Sequence, residues 1–329
     1  MRRRGFILAL GGAAIVAQMP ALAQQSERVP RIGVLIGRSE RDAEGQEWSA
    51  ALERGLMELG LIPGQTVLID YRWQTSDVRQ RTVFVNEIVT LRPDILVAST
   101  TQYLVAAQNA TRTIPIVFVA VADPVAQGFV ASLAQPGGMI TGFGLEEPAM
   151  GAKWVELLME IAPGIRSISA IFDPDTSPSR IFLPSVEASL KPLGAELTVS
   201  PVRNESEIET AIAEAAGRPS GGLLVLPDTL LQSRRELVVA AVAKHRLPAI
   251  YTIPPFAKSG GLIAYGINRY DLFYRAAAYV DRILKGASPG SLPLQMPTKF
   301  EMVINLKTAK ALSLVVPPSL LARADEVIE

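Results

Sequence analysis

The sequence predicts an α/β fold of two doubly wound parallel-sheet lobes joined by a hinge. Three observations carry that expectation. Short runs that are apolar at nearly every position alternate with amphipathic stretches from residue 31 to about 265. The order of these runs starts over near the middle of the chain. Glycine-bearing stretches stand where one half would hand over to the other. Strands apolar on both faces and separated by helices are the signature of a parallel sheet covered by helices on both sides.

In the first half, Arg31 to Ile36 reads as a buried strand. Glu44 to Leu59 carries Trp48, Leu52, Leu56 and Leu59 at helical spacing, and Gly60 supplies a stop. Val67 to Tyr71, Ile95 to Ala98 and Ile116 to Val121 read as strands; Val83 to Leu91, Gln102 to Ala110 and Pro124 to Leu133 read as helices. In the second half, Ile168 to Phe172 takes the role of the first strand. Val186 to Leu193 leads into a strand over Ala195 to Val199. Gly222 to Leu226 matches Asp94 to Ala98, Leu247 to Tyr251 matches Ile114 to Phe118, and Gly260 to Ile263 matches Gly137 to Ile140. Repeats this long are domains and not solenoid units.

Thr141-Gly142-Phe143-Gly144 is the expected first crossover between lobes, and Ala264-Tyr265-Gly266 its counterpart. A helix from Asp271 to Leu284 would return to the first lobe, and the tail from Phe300 supplies a strand and two short helices. The expected division is lobe one over 30–142 plus about 266–290, and lobe two over 143–265 plus about 298–329.

Residues 1–23 read as an export signal, of the twin-arginine type or else an ordinary Sec signal: Arg2-Arg3-Arg4 and Phe6, which favour the first, a short apolar middle, and Ala21-Leu22-Ala23 as a small-residue exit. The apolar middle is shorter than the roughly 20 residues a membrane span needs. Behind it, 306 residues hold 29 basic and 32 acidic side chains. That balance argues against a nucleic-acid partner, which demands a concentrated basic face. The chain has no cysteine. Lipid anchoring through a cysteine, disulfides, thiol catalysis and thiolate metal sites are thereby excluded. The expected location is the periplasm, without a lipid anchor.

Several blocks resemble the family of ABC-transporter substrate-binding proteins, whose members include tryptophan-type amino-acid binders. They are Ile114-Pro115-Ile116-Val117-Phe118, Ala122-Asp123-Pro124-Val125, the run from Ser132 to Gly142, and the tail from Pro297 to Leu312. The resemblance covers essentially all of the chain after the signal. It implies a type I periplasmic-binding fold with three crossings between lobes. It also implies a monomeric receptor that passes a small solute, an amino acid or related carboxylate, to an inner-membrane ABC permease. Catalysis and cofactors are not part of that role. A sensor that presents its closed form to a membrane signalling partner is the alternative, since it would use the same fold.

Ligands of open parallel sheets sit beyond the carboxyl ends of the strands, so the loops there supply the candidates. Ser99, Thr100 and Thr101 place three hydroxyls where a strand hands over to a helix, a site for a carboxylate or simply a helix cap. Asp123 either receives an ammonium group or caps the helix opened by Pro124. Arg38 either clamps an anion or begins a solvated charged run, and it departs from the small, hydroxyl-rich loop common in the family. In the second lobe the candidates are Asp173, Asp228, Thr229 and Tyr251. Asp173 stands where the family commonly has asparagine-rich residues, and an aspartate there would favour a cationic amine. Tyr251 either stacks on a flat ligand or packs in the core. His245 is the single histidine, and no nucleophile elbow, metal-binding histidine pair or phosphate-binding glycine loop accompanies it. The sequence therefore predicts neither an enzyme nor a metal or cofactor site.

Overall fold

The computed structural model describes residues 28–74, 78–145, 148–175 and 179–329. The expected signal at 1–23 lies outside the described residues. The chain order begins β1 (Arg31–Ile36), α1 (Ala43–Glu58), β2 (Leu68–Trp73), α2 (Val78–Thr90), β3 (Ile95–Ser99), α3 (Thr101–Ala110), β4 (Ile116–Val121) and β5 (Ile140–Gly144). After the first crossing come α4 (Met150–Ile161), β6 (Ser167–Phe172), α5 (Leu183–Leu190), β7 (Glu196–Pro201), α6 (Glu205–Gly217) and β8 (Gly221–Val225). Then follow α7 (Thr229–Ser233), α8 (Arg235–Lys244), β9 (Ala249–Tyr251), α9 (Pro255–Lys258) and β10 (Ile263–Ile267). The chain continues with α10 (Arg269–Leu284), β11 (Phe300–Asn305), α11 (Leu306–Ala311), α12 (Pro318–Leu321) and β12 (Glu326–Ile328).

Two sheets form. The first runs β2-β1-β3-β4-β5, all parallel. The second runs β7-β6-β8-β9-β10, and β11 then joins antiparallel with β12 beside it. Both use the 2-1-3-4-5 order of a doubly wound sheet, in which the crevice lies beyond the carboxyl ends near the central strands. Strands β1, β3 and β4 are buried along almost their whole length because helices cover both faces. Leu52 and Leu56 of α1 pack with Ala276 and Val280 of α10 on one side of sheet one. Val85 and Ile88 of α2 with Tyr103 and Leu104 of α3 pack on the other. Each large apolar side chain buried in this way stabilises the fold by roughly 1.5–3 kcal/mol. Sheet two has its own pair of cores, centred on Trp154 and Phe172 on one face and on Ile212, Val238 and Phe256 on the other.

Two local expectations are corrected. Residues 124–133 are a turn over 124–128 followed by bends, and not a helix. Gly128 adopts φ 74°, and Phe129 N donates to Pro124 O while Gly128 N donates to Val125 O. That is the Schellman arrangement, which closes the segment after a single turn. The stretches read as crossovers are strands: Thr141 to Gly144 lies in β5 and Ala264 to Gly266 in β10. The crossings themselves follow each strand, and a third runs from Gln295 to Lys299. They lie side by side. Gly144 N donates to Gln295 O at 2.9 Å, Gln295 N to Gly142 O at 3.0 Å, and Asn268 N to Lys299 O at 3.0 Å.

Candidate ligand-binding site

The carboxyl ends of the two sheets face each other across a cavity of ≈ 60 Å³. Lobe one contributes Arg38 after β1, Ser99 to Gln102 at the β3–α3 junction, and Trp48, Arg269 and Phe273 from α1 and α10. Lobe two contributes Pro227, Asp228, Thr229 and Gln232 from the start of α7.

The β1 and β3 ends are locked together by close approach. Gly37 N donates to Ser99 Oγ at 2.6 Å, and a Cβ on Gly37 would stand 2.3 Å from the Thr100 methyl. Only glycine lets the loop come this near. Thr100 caps α3 from a backbone with φ 74°, a costly conformation for a β-branched residue. Thr101 and Gln102 are the first helical residues, where N–H groups have no intrahelical acceptor and point their partial positive charge outward.

Arg38 leaves the β1 end and is buried. Its guanidinium lies 5.2 Å from the Trp48 ring centre, pairs with Glu44 at 2.5 Å and donates across the crevice to Gln232 Oε1. Arg269, the first residue of α10 after its Asn268 cap, lies 5.4 Å from the same ring and donates to the same Gln232 oxygen at 3.4 Å. Phe273, one turn further along α10, stacks on Trp48 at 5.4 Å. A second link between lobes joins Glu44 of α1 to Arg235 of α8 at 4.0 Å.

Asp228 is 2% exposed and caps α7, accepting from Leu231 N at 3.0 Å and from Asp173 N at 3.1 Å. Burial pushes its carboxyl up to about 6, against the pull of those two N–H donors.

The structure thus brings Arg38, Ser99, Thr100, Thr101, Asp228 and Thr229 to one cavity. Three other candidates are elsewhere. Asp123 caps a turn through Ala126 N at 3.1 Å. Asp173 is buried beside Asp228 and accepts from Asp175 N at 2.9 Å. Tyr251 is fully buried in a lobe-two core, stacked on Phe256 at 4.9 Å, and burial raises its phenol far above the ordinary value. Gln232, Arg269 and Phe273 line the cavity without having been singled out in the sequence, and so does Trp48, read there only as part of a helical stripe. The available signal was spacing: Gln232 is one turn beyond Asp228, and Phe273 one turn beyond Arg269.

Two similar α/β lobes, three crossings and a cavity walled from both sides are the architecture of the type I periplasmic binding proteins. The chain belongs to the family described as ABC transporter substrate binding protein, whose model matches residues 41–328. A tyrosine-binding protein of Clostridioides difficile (strain R20291) is 29% identical over 261 residues, covering 79% of this chain and 75% of that relative. A crystal structure of a conserved domain protein from Vibrio cholerae is similar at TM-score 0.83 and 28% identity, over 91% of this chain and 100% of the other. A complex with L-Trp from Streptococcus pneumonia shares the fold at TM-score 0.83 and 24% identity, over 92% and 100% of the two chains. Among the described residues no helix is long and apolar enough to cross a membrane.

Proposed function

We propose that this protein is the periplasmic receptor of an ABC importer, capturing a small amino acid or related carboxylate between its lobes and delivering it to the permease. The observation that carries the reading is the cavity walled by both lobes, with Arg38 of one reaching Gln232 of the other. A ligand favours closure only through contacts that the open form cannot make. Groups from both lobes meeting around one cavity supply such contacts. The tyrosine-binding relative supports an amino-acid-like solute. Receptors of this kind act alone on the solute, so the protein is expected to be a monomer with no catalytic turnover.

A thermal-shift screen of amino acids and small carboxylates on the full chain tests the reading. A ligand that binds only the native state, present at a hundred times its dissociation constant, adds about 2.7 kcal/mol of stability. A rise in melting temperature with at least one solute, and recovery of that solute unchanged, is expected. A screen with no rise across amino acids, carboxylates and their amines sinks the proposal.

A further inference from the structure

We propose that the crevice selects a net-anionic carboxylate over neutral zwitterionic amino acids, with Arg38 and Arg269 as the residues that set this choice. The inference rests on the receptor reading and names the solute class for that same cavity.

The ionisable side chains lining the cavity are Arg38, Arg269 and Asp228. Both guanidiniums converge on one neutral acceptor, Gln232 Oε1. Two carboxylates stand behind Arg38, Glu44 at 2.5 Å and the more exposed Asp42 at 4.0 Å, and Glu44 divides its charge between Arg38 and Arg235. A carboxylate oxygen at the point now held by the amide oxygen would turn two hydrogen bonds from a cation to a neutral acceptor into contacts in which donor and acceptor are both charged. The low polarity of the Trp48 and Phe273 wall raises that advantage further.

An ammonium group has a poorer reception. Asp228 is the single lining carboxylate, and its two oxygens accept Leu231 N and Asp173 N of its own lobe. Burial also moves it toward the neutral form, with its carboxyl at about 6. The lining therefore favours a ligand that brings more negative than positive charge.

Succinate, glutarate and L-glutamate are the anionic probes, and L-tyrosine and L-tryptophan the zwitterionic ones, titrated by calorimetry into the full chain. At least one anionic probe is expected to bind at least about tenfold more tightly than either aromatic amino acid. Arg269→Gln is expected to weaken that anion about tenfold or more, as loss of one partner of a buried charged contact does. The double variant Arg38→Gln with Glu44→Gln removes a charge pair together, so no buried carboxylate is left alone, and should weaken the anion similarly. Far-UV circular dichroism and the melting temperature establish that each variant is folded. Tighter binding of L-tyrosine or L-tryptophan overturns the inference while leaving the receptor reading intact. So does anion binding that both folded variants retain in full. No heat from any anionic probe overturns it as well, and the receptor reading then falls only if the wider screen is also blank.

Discussion

The two lobes share a strand order but treat their crevice-facing ends differently. In lobe one the non-glycine residues with positive φ include Thr100, Ala120 and Asp123, all at or just beyond the carboxyl ends of β3 and β4. In lobe two the described examples are Ser220, Arg246 and Ser313, none of them at a crevice-side strand end. Strained backbone persists where the surroundings over-determine it, and it clusters at ligand-holding positions. Lobe two instead spends its crevice-side polar groups on itself: Asp228 ties the β6 end to α7, and Tyr251 fills a core. A duplicated scaffold has thus given one lobe a strained face with cations at its rim, and the other a wall without that strain among the described residues.

The largest test of the contrast lies at the strands that lead out of each lobe. A Cβ on Gly266 would stand 1.9 Å from Thr252 O, and one on Gly142 2.1 Å from Phe118 O, both backbone atoms with little freedom to yield. Gly266→Ala and Gly142→Ala should each lose about 3 kcal/mol of unfolding free energy in urea, the upper end of overpacking costs. A loss confined to one of them would show that only one exit strand is held rigidly.

Next comes Asp228. Its folded carboxyl lies near 6, raised from 3.8, so between those values the native state binds more protons than the unfolded one. Stability contributed by this group is therefore greatest at low pH and falls as pH rises from about 4 through 6. The difference is on the order of 3 kcal/mol at 1.36 kcal/mol per unit. Asp228→Asn keeps a capping oxygen and should lack that slope. The gap between variant and parent in unfolding free energy should widen from pH 4 to pH 7 in the variant's favour, and parallel curves would refute the assignment.

Smaller and opposite effects are expected at two threonines. Thr100→Gly relieves a positive φ and should raise stability by about 1 kcal/mol, net of the glycine entropy cost. Thr229→Gly, at the first position of a helical turn, should lower it by about 0.3–0.5 kcal/mol, the gap between the two residues in helix propensity. Equal signs in thermal melts would erase the distinction between the faces. Of similar size is Arg323→Ala. It breaks an exposed pair with Glu160 of α4 and should cost about 0.5 kcal/mol, less at high salt.

Much of this architecture was legible in the sequence. Strands such as Ile95 to Ala98 are apolar on both faces, which only a sheet covered on both sides explains. The hydroxyls at Ser99 to Thr101 were readable because a strand-to-helix handover places them at a helix start. The segment 124–133 misled because apolar spacing there suits a helix, while Gly128 ends the turn through a backbone angle that periodicity does not register. Trp48 read as a core residue for a related reason. A helical stripe reveals which face is buried, but not whether a neighbouring side chain or a cavity covers it. Gln232 and Arg269 gain their meaning only when the lobes meet, a contact between residues 37 positions apart that no local pattern encodes.

The return of the chain to lobe one through α10 has a consequence in time. During synthesis, the face of α1 bearing Trp48, Leu52 and Leu56 stays uncovered until residues 269–284 emerge, after the parallel strands of lobe two. The edge of β10 stays unpaired until β11 arrives later still. Neither lobe can be finished before the other is nearly made. Such half-built sheets, with apolar faces and open edges, are the species most prone to aggregate. Nascent chains of this protein are therefore most vulnerable in the interval between residue 267 and residue 305.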